Sequence, residues 1–344
     1  MRPLEIYAGG MATNLGLSRA ATAAAYRAQL DNFTETRFMD SNGEWLVGAE
    51  IPLERPIRGW SKLLELAART ISETFDELGA GHSIRKRMDI PLLLCIPGEE
   101  RIGRIIGDEQ RFFAELQDRV GMVFSKESCI ISQGKESITA AIAMAETLLY
   151  DRNIDYVLVT AIDSLLTART LRSYDDKSLL LTRTTSNGFV PGEGAASVML
   201  VRSMKSESEK AVRILGVGHG NQKRRKSYQE PILADGLKKA IITALTSANL
   251  PMSKIGFWFY DNDSAYEAVK EATLNELRLL RGENVLINRH SPIRQFGETG
   301  IVCLLLMLNL YSEICEAGVC GLFTTATGDN DFRVAMVVQK VGEE

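Results

Sequence analysis

Short apolar segments typical of β-strands alternate with segments of helical periodicity along the whole chain, and this alternation restricts the fold more than any other feature. It begins with the strand-like "LEIYA" and the alanine-rich "SRAATAAAYRAQL", and it continues to "RVAMVVQK" near the carboxyl end. Such alternation predicts an α/β protein with layered sheets. Residues 34–60 show no clear period and are expected to be irregular.

The charged segment "MKSESEK" marks a boundary, because the order of strands and helices begins again after it. The 344 residues are enough for two units, and we predict similar halves at 1–204 and 211–344. Each half contains a segment that is apolar nearly all round, at 135–150 and 297–314. Helices of that kind are expected between layers.

Charge and composition exclude several classes of protein. The formal net charge of −4 argues against a dedicated nucleic-acid binder, and 45% hydrophobic residues indicate a globular protein. The longest apolar run, residues 301–311, is too short to cross a bilayer, and the first residues lack the apolar core of a signal peptide. We therefore expect a cytoplasmic protein without a membrane segment. The basic "KRRK" at 223–226 is either a solvated loop or a docking site for an acidic partner.

The cysteines are odd in number and scattered, which favours free thiols in a reducing compartment. They are Cys95, Cys129, Cys303, Cys315 and Cys320. Their spacing matches no metal-binding motif, so neither a metal nor another cofactor is expected.

The stretch "SNGFVPGEGAASVMLVRS" places two glycines around Glu193 and then enters a run of small and apolar residues. Glycines let the backbone approach a neighbour closely, and small residues let a strand pack tightly. The stretch therefore predicts a structural elbow beside a pocket.

Three segments in this order resemble the β-ketoacyl-acyl-carrier-protein synthases of the thiolase superfamily. They are "AGGMATNLG", the glycine-rich "GFVPGEGAA" and "GETGIVCLLLMLNL". The resemblance covers nearly the whole chain and implies a five-layered α/β/α/β/α fold of two similar halves. It also implies a cysteine nucleophile at the start of a buried helix and two cavity histidines that stabilise developing negative charge.

The residues at the corresponding positions cannot perform that chemistry. Gly134 stands at the cysteine position, and Asp261 and Arg294 stand at the two histidine positions. The family's lysine corresponds to Arg289, and the last glycine-rich loop keeps only Gly328. The resemblance therefore implies a degenerate site. The charges of Asp261 and Arg294 are expected to meet there as an ion pair.

Other residues could in principle take over. Cys129 is expected on a strand as a core thiol, although it is the candidate for a displaced nucleophile. Ser132 and Ser137 lack a positioned base, and His290 could reach the edge of the cavity. Lys135 is a candidate for binding a phosphate or carboxylate. Its alternative role is a salt bridge, with Glu136 or Glu193 as the partner.

Two functional hypotheses follow. The first is a catalytically inactive protein that acts by binding, either as a chaperone or adaptor for a client such as a secreted effector, or as the partner subunit of an active synthase. The second is an active synthase or acyltransferase with a displaced nucleophile. A weaker third hypothesis, acyl-chain binding without chemistry, needs an apolar tunnel beside Gly134. The resemblance implies pairing through residues 127–132, as a homodimer or a heterodimer with another thiolase-fold chain, and it makes an acyl carrier protein a candidate partner.

Overall fold

The architecture is taken from a computed structural model of the chain. It describes residues 1–78, 89–203, 211–222, 233–261, 266–281, 283, 285–325 and 332–341. Three sequence-based predictions lie outside the described residues: Gly328, the basic run at 223–226 and the charged boundary segment at 204–210.

Twelve strands are formed within these ranges. They are β1 (Leu4–Ala12), β2 (Thr34–Met39), β3 (Trp45–Gly48), β4 (Leu92–Cys95), β5 (Cys129–Ile131), β6 (Val157–Ser164), β7 (Glu193–Arg202), β8 (Val212–Asn221), β9 (Ile255–Tyr260), β10 (Asn288–His290), β11 (Cys320–Thr325) and β12 (Phe332–Lys340).

Nine α-helices lie between these strands in the described part of the chain. They are α1 (Arg19–Arg27), α2 (Gly59–Glu77), α3 (Glu109–Val120), α4 (Ser137–Tyr150), α5 (Ala168–Asp175), α6 (Asp235–Ala248), α7 (Tyr266–Leu279), α8 (Ile293–Phe296) and α9 (Cys303–Ile314). Short 3₁₀ turns at Gly134–Glu136 and Gly300–Val302 directly precede α4 and α9.

The main sheet repeats one strand order twice. Its ten strands run β10-β9-β11-β12-β8-β1-β7-β6-β4-β5, and β1 joins β8 in the middle through antiparallel pairs such as Glu5 with Arg213. Numbered within its own group of five, each side reads 3-2-4-5-1, and its fifth strand, β7 or β12, is antiparallel to its neighbours. This repetition is what a duplicated α/β unit would give, while the boundaries at 1–204 and 211–344 stay a prediction.

Side chains from alternate positions of the strands build three cores. On β6, Val159 and Ala161 face a central core, and Leu158 faces an outer core covered by α2 and α3. On β12, Met336 faces the same central core, whereas Val337 faces a second outer core covered by α6. The central core also contains α4 and α9. The predicted five layers are therefore confirmed: outer helices, one group of five strands, the buried helices, the other group of five strands and outer helices.

Two sequence-based expectations were wrong in detail. The segment 34–60 is not irregular throughout, because β2 and β3 form a separate two-stranded ribbon. The strand expected at 284–288 forms instead at Asn288–His290. None of the helices within the described ranges has the length and apolar composition needed to cross a bilayer.

Candidate functional site

The starts of the two buried helices meet at the centre of the molecule. The turn Gly134–Glu136 precedes α4, the turn Gly300–Val302 precedes α9, and the two turns contact each other. Both begin with a glycine at positive φ, +61° at Gly134 and +63° at Gly300. A residue with a Cβ would be strained at such a φ, which explains why both positions are glycines. The site predicted from the sequence at Gly134 therefore lies where these two turns meet.

No nucleophile occupies the start of α4. A Cβ added to Gly134 would have one side-chain atom within 4 Å, Oε1 of Glu100 at 3.8 Å. The neighbouring hydroxyl of Ser137 is fully buried and accepts the backbone N–H of Gln133 at 2.9 Å. Ser137 therefore stabilises the turn, and the group that lies nearest to the vacant position is a carboxylate.

Lys135 makes the central electrostatic contact of the site. Its Nζ lies 3.1 Å from Oδ2 of Asp261 and 3.4 Å from Oε1 of Glu298. The three side chains are 18%, 1% and 9% exposed, so a lysine is held between two buried carboxylates. The predicted anion-binding lysine thus already has anionic partners, and they are neither of the residues proposed from sequence.

The pKa values of this cluster follow from burial and mutual charge. Burial raises the pKa of Glu298, Asp261 raises it further, and Lys135 opposes both. Burial alone would lower the pKa of Lys135, but the two carboxylates raise it above its usual value. Lys135 is therefore a permanent cation at neutral pH and cannot serve as a general base.

Cys303, the first residue of α9, is the functional-type side chain that sequence reasoning missed. It is 3% exposed. Burial raises the pKa of its thiol well above the ordinary value, and Asp261 and Glu298 raise it further. Such a thiol stays protonated and is a poor nucleophile. The internal repeat could have indicated it, because Cys303 follows Gly300 at the same distance as Ser137 follows Gly134.

The backbone amides at the start of α9 are already occupied by carboxylates. Glu298 accepts the N–H of Gly300 at 2.9 Å, and Asp163 accepts that of Ile301 at 3.1 Å. Arg101 holds the same oxygen of Asp163 at 2.5 Å. A Cβ on Gly300 would lie 2.0 Å from that oxygen, so only glycine lets the carboxylate approach. These amides cannot also receive an oxyanion.

The glycine-rich elbow positions Glu298, which confirms the close backbone approach expected from its sequence. The Glu298 N–H donates to the Val190 carbonyl at 2.8 Å, and the Gly192 N–H donates to the Glu298 carbonyl at 2.9 Å. Glu193 faces elsewhere. Its carboxylate lies 2.5 Å from Nζ of Lys62 and accepts the hydroxyl of Ser164 at 2.9 Å, so it is not the partner of Lys135.

The expected partner of Asp261 also differs. Arg294 lies on α8 with an exposed side chain, whereas Asp261 is fully buried. Among the described ion pairs, Asp261 is paired with Lys135 and not with Arg294. Arg289 is exposed and donates from Nε to Glu276 at 2.8 Å. The structure therefore pairs the charges of Asp261 and Arg289 with residues other than those expected from the sequence.

His290 belongs to an aromatic cluster. Its Nδ1 lies 3.1 Å from the hydroxyl of Tyr26, and its ring stacks on Phe259 with centroids 4.7 Å apart. None of the described residues hydrogen-bonds to its buried Nε2, and burial lowers the pKa of the ring. These contacts give it a packing role and hold the ring neutral at physiological pH.

Comparisons with known proteins identify the architecture. No protein-family model and no curated protein match the sequence. Among solved structures, AntDE:AntF, a type II PKS acyl-carrier protein in complex with its ketosynthase, gives a TM-score of 0.76 at 14% identity, covering 99% of this chain and 100% of that chain. A β-ketoacyl synthase from Burkholderia phymatum gives 0.74 at 15% identity, covering 99% and 100%.

The chain has the ketosynthase fold. A third structure, a ketosynthase in complex with its chain length factor from Xenorhabdus doucetiae, gives a TM-score of 0.69 at 14% identity, covering 99% of this chain and 98% of that chain. The implied fold is thereby confirmed. At these identities the likeness establishes the ketosynthase fold and not the activity.

Within this ketosynthase fold, Cys129 lies on the edge strand β5. It is half-buried, and burial raises the pKa of its thiol. It therefore lacks the activation that a displaced nucleophile needs. Among the described residues, no group of histidine, cysteine, aspartate and glutamate side chains is arranged to hold a metal ion.

Proposed function

We propose that this chain is a catalytically inactive protein of ketosynthase fold that acts by pairing with a second thiolase-fold chain. The observation that carries the proposal is the ion cluster of Lys135, Asp261 and Glu298, built beside a glycine where the resemblance implies the nucleophile. The cluster fills with fixed charge the place where acyl transfer would need a thiolate and neutral hydrogen-bond donors.

Electrostatics oppose condensation at this site. Decarboxylative condensation passes through an enolate and an oxyanion, both negative. Glu298 and Asp163 accept the amides of the turn before α9, and Asp261 pairs with Lys135 at the turn before α4. The cations Lys135 and Arg101 are already paired with these carboxylates, so the site offers either negative intermediate little stabilisation.

The alternative is an active synthase with a displaced nucleophile. Cys303 is the better candidate by position and Cys129 by exposure. The raised thiol pKa disfavours both. Catalysis by Cys303 would require a thiolate among carboxylates, and catalysis by Cys129 would require a thiolate on a half-buried strand. The active synthase is therefore less favoured than the inactive protein.

Strand β5 supports the pairing. It bonds to β4 on one side and ends the ten-stranded order. Its side chains Cys129 and Ile130 are half-buried, and on the adjoining α4 Met144 is 40% exposed. An unpaired apolar edge invites another strand and is an aggregation risk in a lone monomer. Structures of this fold include a ketosynthase in complex with its chain length factor, which favours a partner-subunit role here.

The chaperone or adaptor role is the alternative to this pairing. It differs in the chain that is bound, a client protein or an acyl carrier protein instead of a thiolase-fold subunit. The identity of the bound chain therefore separates the two roles.

Crosslinking the tagged protein in an extract of its native host, followed by mass spectrometry, tests the pairing. We expect a thiolase-fold chain, another copy or a different one, with crosslinks at β5. The variant Ile130→Lys should lose this partner chain, because pairing would bury the lysine charge at the edge of β5. The control Ile242→Lys replaces a residue of α6 that is 43% exposed, and this variant should keep the partner chain. Pairing that survives Ile130→Lys, or a client without a thiolase fold, would overturn the proposal.

A further inference from the structure

The ribbon of β2 and β3 carries an apolar outer face. Met39 is 51% exposed, Trp45 is 48% exposed and Val47 is 38% exposed. Met39 and Trp45 are directly paired across the strands, and Val47 follows Trp45 on the same side, so the three side chains are contiguous. We call Met39, Trp45 and Val47, with Glu35 and Arg37, the ribbon face.

The ribbon is a firm platform for that face. On its inner side, Leu46 is 3% exposed and packs with Leu171 and Leu180 in a small core. At its end, the Ala49 N–H donates to the Pro191 carbonyl at 2.8 Å. Exposed apolar groups on an anchored ribbon indicate a contact surface better than the same groups on a mobile loop would.

The ribbon face carries one acid and one base. Glu35 is exposed opposite Val47, and Arg37 is exposed with its guanidinium over the ring of Phe38 at 4.6 Å. In the described part of the chain, no ion pair is formed by Glu35 or Arg37. Tryptophan, methionine and arginine together have the composition of the energetically important part of protein interfaces.

We propose that the ribbon face docks on the ribbon face of a second copy of this chain, related by a twofold axis. In such a contact, Arg37 of each copy meets Glu35 of the other, while Trp45, Met39 and Val47 cover one another. A surface with one acid and one base complements itself under twofold symmetry. A strongly acidic or basic partner would leave one of these charges unmatched.

The contact uses the face of the ribbon and not its edge. Three residues of β2, from Thr36 to Phe38, lie opposite one residue of β3, and this irregular pairing is a β-bulge. Bulges and charged side chains disfavour the addition of a further strand along an edge. The proposal is independent of β5, so it stands or falls separately from the proposed function.

Sedimentation equilibrium in the Ile130→Lys background measures this contact alone, because that background removes pairing through β5. We expect a concentration-dependent dimer that Trp45→Ser makes monomeric. The matched control Ile242→Ser removes an apolar residue of similar exposure elsewhere and should leave the dimer intact. Circular dichroism of each variant establishes that it is folded.

Charge reversal gives the decisive comparison. Glu35→Arg alone and Arg37→Glu alone place like charges opposite each other and should weaken the dimer about tenfold or more. A mixture of these two variants restores both attractive pairs and should associate again. A background that is monomeric at all concentrations, or a dimer unaffected by Trp45→Ser, would overturn the proposal, as would a mixture no tighter than its components.

Discussion

At the scale of single residues, Lys135 decides the character of the site. It is the cation shared by Asp261 and Glu298, and it joins the turn before α4 to the end of β9 and to the segment that precedes α9. A buried ion pair adds little net stability, but removing one partner leaves an uncompensated charge. The cluster therefore restricts the site chemically more than it stabilises the fold.

Lys135→Met should lower the free energy of unfolding by about 3 kcal/mol at neutral pH, because it leaves two buried carboxylates together. The loss should shrink as the pH falls, since Glu298 already has a raised pKa and will take up a proton. Urea unfolding at several pH values measures both effects. The exposed Lys126→Met is the control and should change stability by less than about 0.5 kcal/mol. An equal loss in the two variants would contradict the assignment.

The sequence indicated Gly134, Lys135 and Asp261 for the site, but it indicated neither Glu298 nor the way the charges pair. The assignments of Gly134 and Asp261 came from the resemblance to the β-ketoacyl synthases, whose motif positions these residues occupy. The pairing of Asp261 with Lys135 depends on the direction of a long side chain across two segments distant in sequence, and no periodicity encodes that direction. The role of Cys303 was missed for a related reason, since one cysteine in an apolar run predicts a core thiol.

At the scale of elements, the 3₁₀ turn before α9 is the most restricted piece of backbone in the site. Gly300 has φ +63°, and Asp163 fills the space where a Cβ would lie. The same carboxylate receives the next amide, so the turn and the end of β6 specify each other.

Gly300→Ala should therefore destabilise more than an alanine that adds only backbone strain. The control is Gly318→Ala, where φ is +79° and nothing lies within 4 Å of an added Cβ. We expect the control to cost about 1–2 kcal/mol and Gly300→Ala to cost about 2 kcal/mol more, owing to the clash. Thermal and urea denaturation measure the difference. Equal losses would show that Asp163 can move aside freely.

Strand β10 should give the protein an acid-sensitive element. Burial lowers the pKa of His290 below its ordinary value of 6.5, so the unfolded chain takes up a proton more readily than the folded one. Stability contributed by the neutral ring is present above about pH 6.5 and is lost as the pH falls below it. His290→Phe should flatten this slope while keeping the stack on Phe259. An unchanged slope between pH 7 and 5 in urea titrations would contradict the burial of the ring.

At the scale of the whole molecule, two groups of five strands with one topology enclose the two buried helices whose starts meet. The alternation of strands and helices predicted layered sheets with buried helices between them, and the resemblance to the β-ketoacyl synthases implied the five layers. The elements whose signals were weak, the ribbon of β2 and β3 and the short β10, were the ones misplaced.

The central claim, that this ketosynthase fold no longer accepts an acyl group, is tested most directly by intact mass spectrometry. The purified protein is incubated with acyl-pantetheine thioesters and with an acylated carrier protein, beside an active ketosynthase as positive control. The account predicts an unchanged mass under conditions that acylate the control completely. An adduct that maps to Cys303 or Cys129, and that is absent when that cysteine is replaced by alanine, would contradict it.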